Sequence, residues 1–209
     1  MVKIAVVDYD MGNLHSACKG LEKAGATPTV TDDPAVIAAA DAVLLPGVGA
    51  FDPAMQHIRA RDLEKPIHEA IASGKPFLGI CLGLQILFEA SEEGTEKGLG
   101  AIAGTVRRFQ PETDITIPHM GWNQLEMVQP DLPVWSSLTA DPYVYFVHSF
   151  YVEPADKNVN AATVTHGTQQ VTAAIAQDNL IAMQFHPEKS ADTGLQILAN
   201  FVRWVEQSA

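Results

Sequence analysis

Cys81 lies in Gly79-Ile80-Cys81-Leu82-Gly83, between an apolar run and a segment with helical spacing. A strand-turn-helix context of this kind turns the side chain out of the strand end and sets it at a helix N-terminus. The helix end favours a thiolate, and glycines two residues to either side leave room for a sharp turn. The same five residues also suit a buried cysteine in a tight connection. A nucleophilic sulfur needs a partner that handles protons. Near the far end of the chain, Gln184-Phe185-His186-Pro187-Glu188 closes another apolar run. In extended chain residues two apart share a face, so the spacing predicts His186 and Glu188 side by side, the carboxylate orienting the imidazole. Taken alone, such a pair is more commonly a solvated strand end with an exposed His and Glu. The third segment, Pro46-Gly47-Val48-Gly49, follows a further apolar run. Its backbone N–H groups at Val48 and Gly49, with that of Leu82, suit a developing oxyanion. It matches neither the dinucleotide fingerprint nor the Lys-containing phosphate loop. Three such groups at strand C-termini would meet on one edge of an open α/β sheet.

The elements that must position them follow from periodicity. Ile4 to Val7 reads as a strand, Leu14 to Ala24 as a helix opened by Asn13, Thr27 to Thr31 as a strand, Asp33 to Ala39 as a short helix and Ala42 to Leu45 as a buried strand stopped by Pro46. Helical segments then run to Ser73-Gly74, followed by a strand over Pro76 to Ile80 and a helix from Leu82 to about Ala90. Beyond Gly98 the chain is β-rich, with strands expected at Thr105 to Phe109, Ile115 to Pro118, Tyr143 to Val147, Ala161 to Thr165, Val171 to Ala176 and Ile181 to Phe185. A last helix spans Asp192, read as its N-cap, to about Glu206. The rhythm predicts one α/β domain over residues 1–209, an open, mixed, mostly parallel sheet with helices on both faces.

The 209 residues carry 13 Lys and Arg against 25 Asp and Glu, a formal charge of −12. That field repels nucleic acid and anionic membrane, so neither is expected as a partner. Two cysteines, Cys18 and Cys81, make no disulfide framework and fit a reducing, cytoplasmic setting. No apolar run reaches membrane-spanning length, and the first ten residues are too short for a secretory leader core. With no C-x-x-C or H-E-x-x-H in the chain, neither metal nor cofactor is expected.

These motifs resemble the class I, triad-type glutamine amidotransferases along nearly the whole chain. Within them, Asp8 to Leu14, Pro46 to Phe51, Gly79 to Gln85, Pro118-His119-Met120-Gly121-Trp122-Asn123, His148 to Tyr151 and Gln184 to Ser190 are similar to the glutaminase subunits of imidazole glycerol phosphate synthases. The resemblance implies a flavodoxin-like fold and a triad in which Cys81 attacks the glutamine side-chain amide, His186 moves protons and Glu188 orients it. It implies that Gly47, Gln85, Glu93, Tyr145, His148, Ser149 and Phe150 surround the bound glutamine. It also implies a (β/α)8-barrel cyclase as heterodimer partner and receiver of ammonia, met by Asn13, His119, Met120, Trp122 and Asn123. Two positions depart from the family pattern: Asp10 stands where a glycine is usual, and Ala191 where glycine or glutamine is common. The other readings are a cysteine peptidase or hydrolase on a similar scaffold, a thiol-sensing module built on Cys81, and the amidotransferase subunits of pyridoxal phosphate or anthranilate synthesis.

Overall fold

The computed structural model describes residues 1–208. Its first half alternates strand and helix: β1 (Lys3–Val7), α1 (Leu14–Lys23), β2 (Thr27–Thr31), α2 (Pro34–Ala39), β3 (Ala42–Gly47), α3 (Phe51–Ala60), α4 (Glu64–Ala72), β4 (Phe77–Cys81) and α5 (Leu82–Gln85). The second half supplies β5 (Ala90–Ser91), β6 (Gly104–Arg108), β7 (His119–Gln124), β8 (Glu126–Met127), β9 (Tyr143–His148), β10 (Phe150–Pro154), β11 (Asn160–His166), β12 (Gln169–Gln177) and β13 (Leu180–Met183) before α6 (Ala191–Ser208). The main sheet runs β2-β1-β3-β4-β13-β12-β10-β6-β5, with β11 against β12 and β8 beyond it. Strands β2, β1, β3, β4 and β13 pair in parallel, and β12 turns the sheet antiparallel. Strands β7 and β9 form a separate antiparallel ribbon.

Side chains of the parallel strands divide by parity between two cores. Ile4, Val6, Leu44, Leu78 and Ile80 face Leu21 of α1 and Ile197 and Phe201 of α6. Ala5, Val7, Val43, Leu45 and Phe77 face Met55 and Ile58 of α3 and Ile67 of α4. Strands buried on both faces read as continuous apolar runs, which is why β1, β3 and β4 are visible in the sequence. Helix entries are legible for the same local reason: Asn13 accepts the Ser16 N–H at 3.3 Å and Asp33 the Ala35 N–H at 2.8 Å.

Several expectations are corrected. Strand β3 continues through Pro46 to Gly47, because β3 pairs β1 only as far as Leu44 and the missing proline N–H falls beyond that ladder. The helix after Cys81 stops at Gln85. The next carbonyls are taken by a returning segment: Leu99 N–H donates to Ile86 O, Ile102 N–H to Leu87 O and Gly100 N–H to Phe88 O. Ile115 to Pro118 forms no strand, and the ladder begins instead at His119. Strand β13 ends at Met183, before Phe185. Asp192 lies inside α6, which starts at Ala191. The two departures from the family pattern both sit in left-handed backbone, Asp10 at φ 65° and Ala191 at φ 46°. Asp10 tolerates it by turning its N–H to Asp8 Oδ1 at 3.0 Å while its carboxylate pairs with Arg61.

Gly83 is where α5 crosses β3: a Cβ there would run into the Leu45 carbonyl. Gly83→Ala is therefore expected to destabilise the fold by about 1–3 kcal/mol through overpacking, read as a lower urea midpoint at unchanged m-value. An unchanged midpoint would mean that α5 can lift off the sheet at no cost.

Candidate active site

Cys81 is the last residue of β4 and the residue that enters α5, with φ 55° and ψ −111°. A non-glycine residue there stores roughly 1–3 kcal/mol of strain. The strain is outweighed by its neighbours, since Leu82 and Leu84 are buried to 1% and 0% exposure and each such side chain contributes about 1.5–3 kcal/mol. Gly79, two residues earlier, lies so close to β13 that a Cβ on it would come within 2.8 Å of the Ala182 Cβ. The sulfur consequently projects from the C-terminal end of the parallel sheet into a cavity of about 300 Å³.

His186 reaches the same cavity from the end of β13. Extended-chain periodicity does not bring it to Glu188: the pair sits on a short 3-10 turn, Pro187–Lys189, that His186 opens. The turn sets His186 Nδ1 2.8 Å from Glu188 Oε1, with both side chains almost fully buried. Burial works against charging this imidazole, but interactions with Cys81 and Glu188 outweigh it and raise the pKa to about 9. Among the described residues His186 Nε2 has no hydrogen-bond partner, and neither has Glu188 Oε2. The second ring nitrogen is thus left for the sulfur, with Cys81 close enough to raise the pKa of the ring. Ser190 braces the turn: its hydroxyl donates to His186 O at 2.6 Å and accepts the Tyr145 N–H at 2.9 Å, while His186 N–H donates to Tyr145 O at 3.0 Å.

The cavity wall also brings together Val48, Gly49, Leu82, Gln85, Glu93, His148, Ser149 and Phe150. Glu93 Oε2 accepts the Phe51 N–H at 2.9 Å, capping α3, whose own cap residue Ala50 offers no side-chain bond. Val48 N–H is directed at Met11 O at 3.3 Å. Gly47 lies behind the wall, against the Tyr9 hydroxyl, which donates to Pro46 O at 2.7 Å. Tyr145 contributes backbone beside the turn, and its ring stands edge-on to Trp122. Asn13 caps α1 and lines a small cleft with Gly47, His186 and Glu188.

Of the positions expected to meet a partner, Met120 and Trp122 are 61% and 52% exposed on β7, whereas His119 is buried. His119 stacks on Phe146 and His166, and its Nδ1 lies 3.0 Å from His148 Nε2. Burial, and then the neighbouring His166, lowers the His119 pKa to about 4. Burial is also the main cause that takes His148 down to about 3, against the bond from its ring to Phe150 O. Both rings are neutral at physiological pH.

Three participants escaped the residue-by-residue reading: Tyr9, Ser190 and Gln184. Gln184 is wholly buried and donates through Nε2 to Cys81 Sγ at 3.8 Å. Its position two residues before His186, as an amide inside an apolar run, was the available signal.

The family model "Glutamine amidotransferase class-I" matches residues 5–204. The chain is 71% identical over 206 residues to the imidazole glycerol phosphate synthase subunit HisH of Cyanothece sp., covering 99% of this chain and 98% of that protein. It is 70% identical over 207 residues to the protein of the same name from Nostoc punctiforme, with 99% and 98% covered. Among solved structures, PurLQS from Thermotoga maritima superposes with TM-score 0.75 at 20% identity, over 98% of this chain and 99% of that one. A structure described as a glutamine amidotransferase gives 0.74 at 16%, over 97% and 98%. At those identities the structures speak for the fold.

The raised pKa of His186 has a defined sign. Its folded value of about 9 exceeds the ordinary imidazole value of roughly 6.5. The stability that the charged ring contributes is complete below the ordinary value and is lost as pH rises through the folded one. Glu188→Gln removes one of the interactions that hold the proton. Its loss of stability relative to the unmodified chain is expected to be complete at roughly pH 6.5 and to shrink as the pH rises through about 9, measured by urea denaturation across that range. A pH-independent difference would mean that His186 is not charged in the fold.

Proposed function

The chain belongs to the class-I glutamine amidotransferases, and from that premise we propose that it is the glutaminase subunit of an imidazole glycerol phosphate synthase, working in histidine biosynthesis with residues 1–209 as one amidotransferase domain. The observation that carries this reading is the strained Cys81 elbow facing a His186 whose other ring nitrogen is held by Glu188 at 2.8 Å. The names of relatives near 70% identity narrow the class to this synthase and do not favour the pyridoxal phosphate or anthranilate alternatives.

In this mechanism the Cys81 thiolate, its proton on His186, attacks the side-chain amide carbon of glutamine. The carbonyl oxygen gains charge, and the amides of Leu82 and Gly49 stabilise it. The Val48 amide joins them only after leaving the Met11 carbonyl, which ties full activity to a movement of the β1–α1 loop. His186 protonates the departing ammonia, then takes a proton from the water that hydrolyses the thioester, and glutamate leaves. Gln85, Glu93, His148, Ser149 and Phe150 line the space for the substrate, with the Glu93 carboxylate suited to its ammonium group. Gly47 and Tyr145 support that wall from behind through backbone.

Met120 and Trp122 on β7 and Val48 in the cavity wall are large apolar side chains left exposed. Exposed apolar side chains of this kind suit burial against a second subunit, here a (β/α)8-barrel cyclase that takes the ammonia directly. Asn13 shares a small cleft with Val48, Asn123 follows Trp122 on β7, and His119 is buried beneath that strand. A soluble heterodimer in the cytoplasm, free of metal and cofactor, completes the reading.

The test is glutamate release from glutamine by the purified chain, with and without the matching cyclase and its ribotide ligand. Strong hydrolysis in the full mixture is expected. Cys81→Ala should abolish glutamine-dependent synthesis and leave the cyclase's use of free ammonia intact. His186→Ala should cost about 10²–10⁴-fold in turnover and Glu188→Gln less. Equal loss of both nitrogen sources in the Cys81 variant would remove the assigned role.

A further inference from the structure

The sulfur of Cys81 faces His186 in the cavity and has a second polar neighbour inside the protein. Gln184 has no exposed surface, and its Nε2 lies 3.8 Å from Cys81 Sγ. Which end of a buried amide faces a sulfur depends on the bonds at its other end. Here they form a chain anchored on a backbone carbonyl. Gln85 Nε2 donates to Phe150 O at 3.2 Å and to Gln184 Oε1 at 3.1 Å. A carbonyl only accepts, so the Gln85 amide is fixed NH2-first. That fixes Gln184 with its oxygen toward Gln85 and its NH2 group toward the sulfur.

The anchor is itself held. Phe150 O also takes the His148 Nδ1–H at 2.8 Å, so His148 Nε2 accepts from His119 Nδ1 at 3.0 Å. Beyond them, His119 Nε2 meets Asn123 Nδ2 at 3.2 Å, and Asn123 Nδ2 also donates to Thr165 O at 2.9 Å. Each orientation follows from the carbonyl at an end of the row, and the two neutral histidines keep the row free of charge.

We propose that Gln184 is a further catalytic residue: its side-chain NH2 group, held in place by Gln85, donates to the Cys81 sulfur and stabilises the thiolate alongside His186. The proposal rests on Cys81 being the nucleophile of the reading above. A donor fixed before the reaction favours the charged form of the sulfur without reorganisation, as a hydrogen bond to any ionised group does. Gln85 is a positioning residue acting through Gln184. The other titratable groups about the sulfur are His186 after β13, His148 on β9, Tyr9 after β1 and Glu93 across the cavity, with Glu188 behind His186. All of them remain in the variants below.

The experiment follows the pH dependence of iodoacetamide alkylation of Cys81 in the full chain, with Cys18→Ser to remove the other thiol. Gln184→Met keeps the shape and deletes the donor, and the alkylation midpoint should move up by about 0.5–1 pH unit. Gln184→Glu puts a carboxylate against the sulfur and should move it further up. Gln85→Met, which frees the Gln184 amide to turn, should give a smaller rise. A folded Q184M or Q184E protein with an unmoved midpoint overturns the proposal. In the unmutated chain the Gln184 side-chain amide NMR signals should shift in step with the pH dependence of alkylation, and signals that stay still overturn it without any substitution. The readout is sulfur reactivity, so it is separable from glutamine turnover. Failure to hydrolyse glutamine would leave the alkylation shift in place, and an unmoved midpoint in a protein that hydrolyses glutamine removes only Gln184.

Discussion

Cys81 occupies a backbone conformation that a residue with a side chain rarely accepts, φ 55° and ψ −111°, and the surrounding architecture keeps it from relaxing. Strand β4 pairs with β3 on one side and β13 on the other, so the residue before the turn cannot move laterally. Gly79 and Gly83 let β13 and β3 approach to distances that a Cβ would forbid. The carbonyls that would let α5 continue are bonded by the segment around Leu99 to Ile102. Strain at one residue is thus held by two ladders, two close approaches and a returning loop, each with many buried contacts behind it.

The same fold treats its histidines in opposite ways. His186 and the His119–His148 pair are all buried, and burial alone would discharge every one of them. His186 keeps its proton because a carboxylate sits on one nitrogen and a sulfur near the other. Among the described residues His119 and His148 have no carboxylate partner and are linked to each other, to a side-chain amide and to a carbonyl, so they are neutral. The charged ring sits beside the sulfur at the cavity, and the uncharged rings belong to a hydrogen-bonded row that reaches the cavity wall. The acidic surface of the chain enters little into either outcome, since exposed charges are screened and these groups are not.

Much of this was written locally. The apolar runs of β1, β3 and β4, the caps at Asn13 and Asp33 and the glycines around Cys81 act over a few residues, so their meaning survives in the sequence. The length of α5 did not, because it is set by the returning segment and not by the propensity of Ile86, Leu87 and Phe88. The contact of His186 with Glu188 was legible but its cause was not: proline and the local hydrogen bonds make a 3-10 turn where alternation suggested a strand.

By itself the sequence determined the parallel α/β order, the candidate sulfur, imidazole and carboxylate, and the glycine-rich loop, because strand and helix periods and turn residues are properties of neighbouring positions. Only the tertiary structure decided that His119 is inside and Met120 and Trp122 outside, that Val48 turns its N–H to Met11, and that Gln184 meets Cys81. Those facts depend on which strand lies beside which, a matter of contacts between positions from 29 to 103 residues apart that no local period encodes.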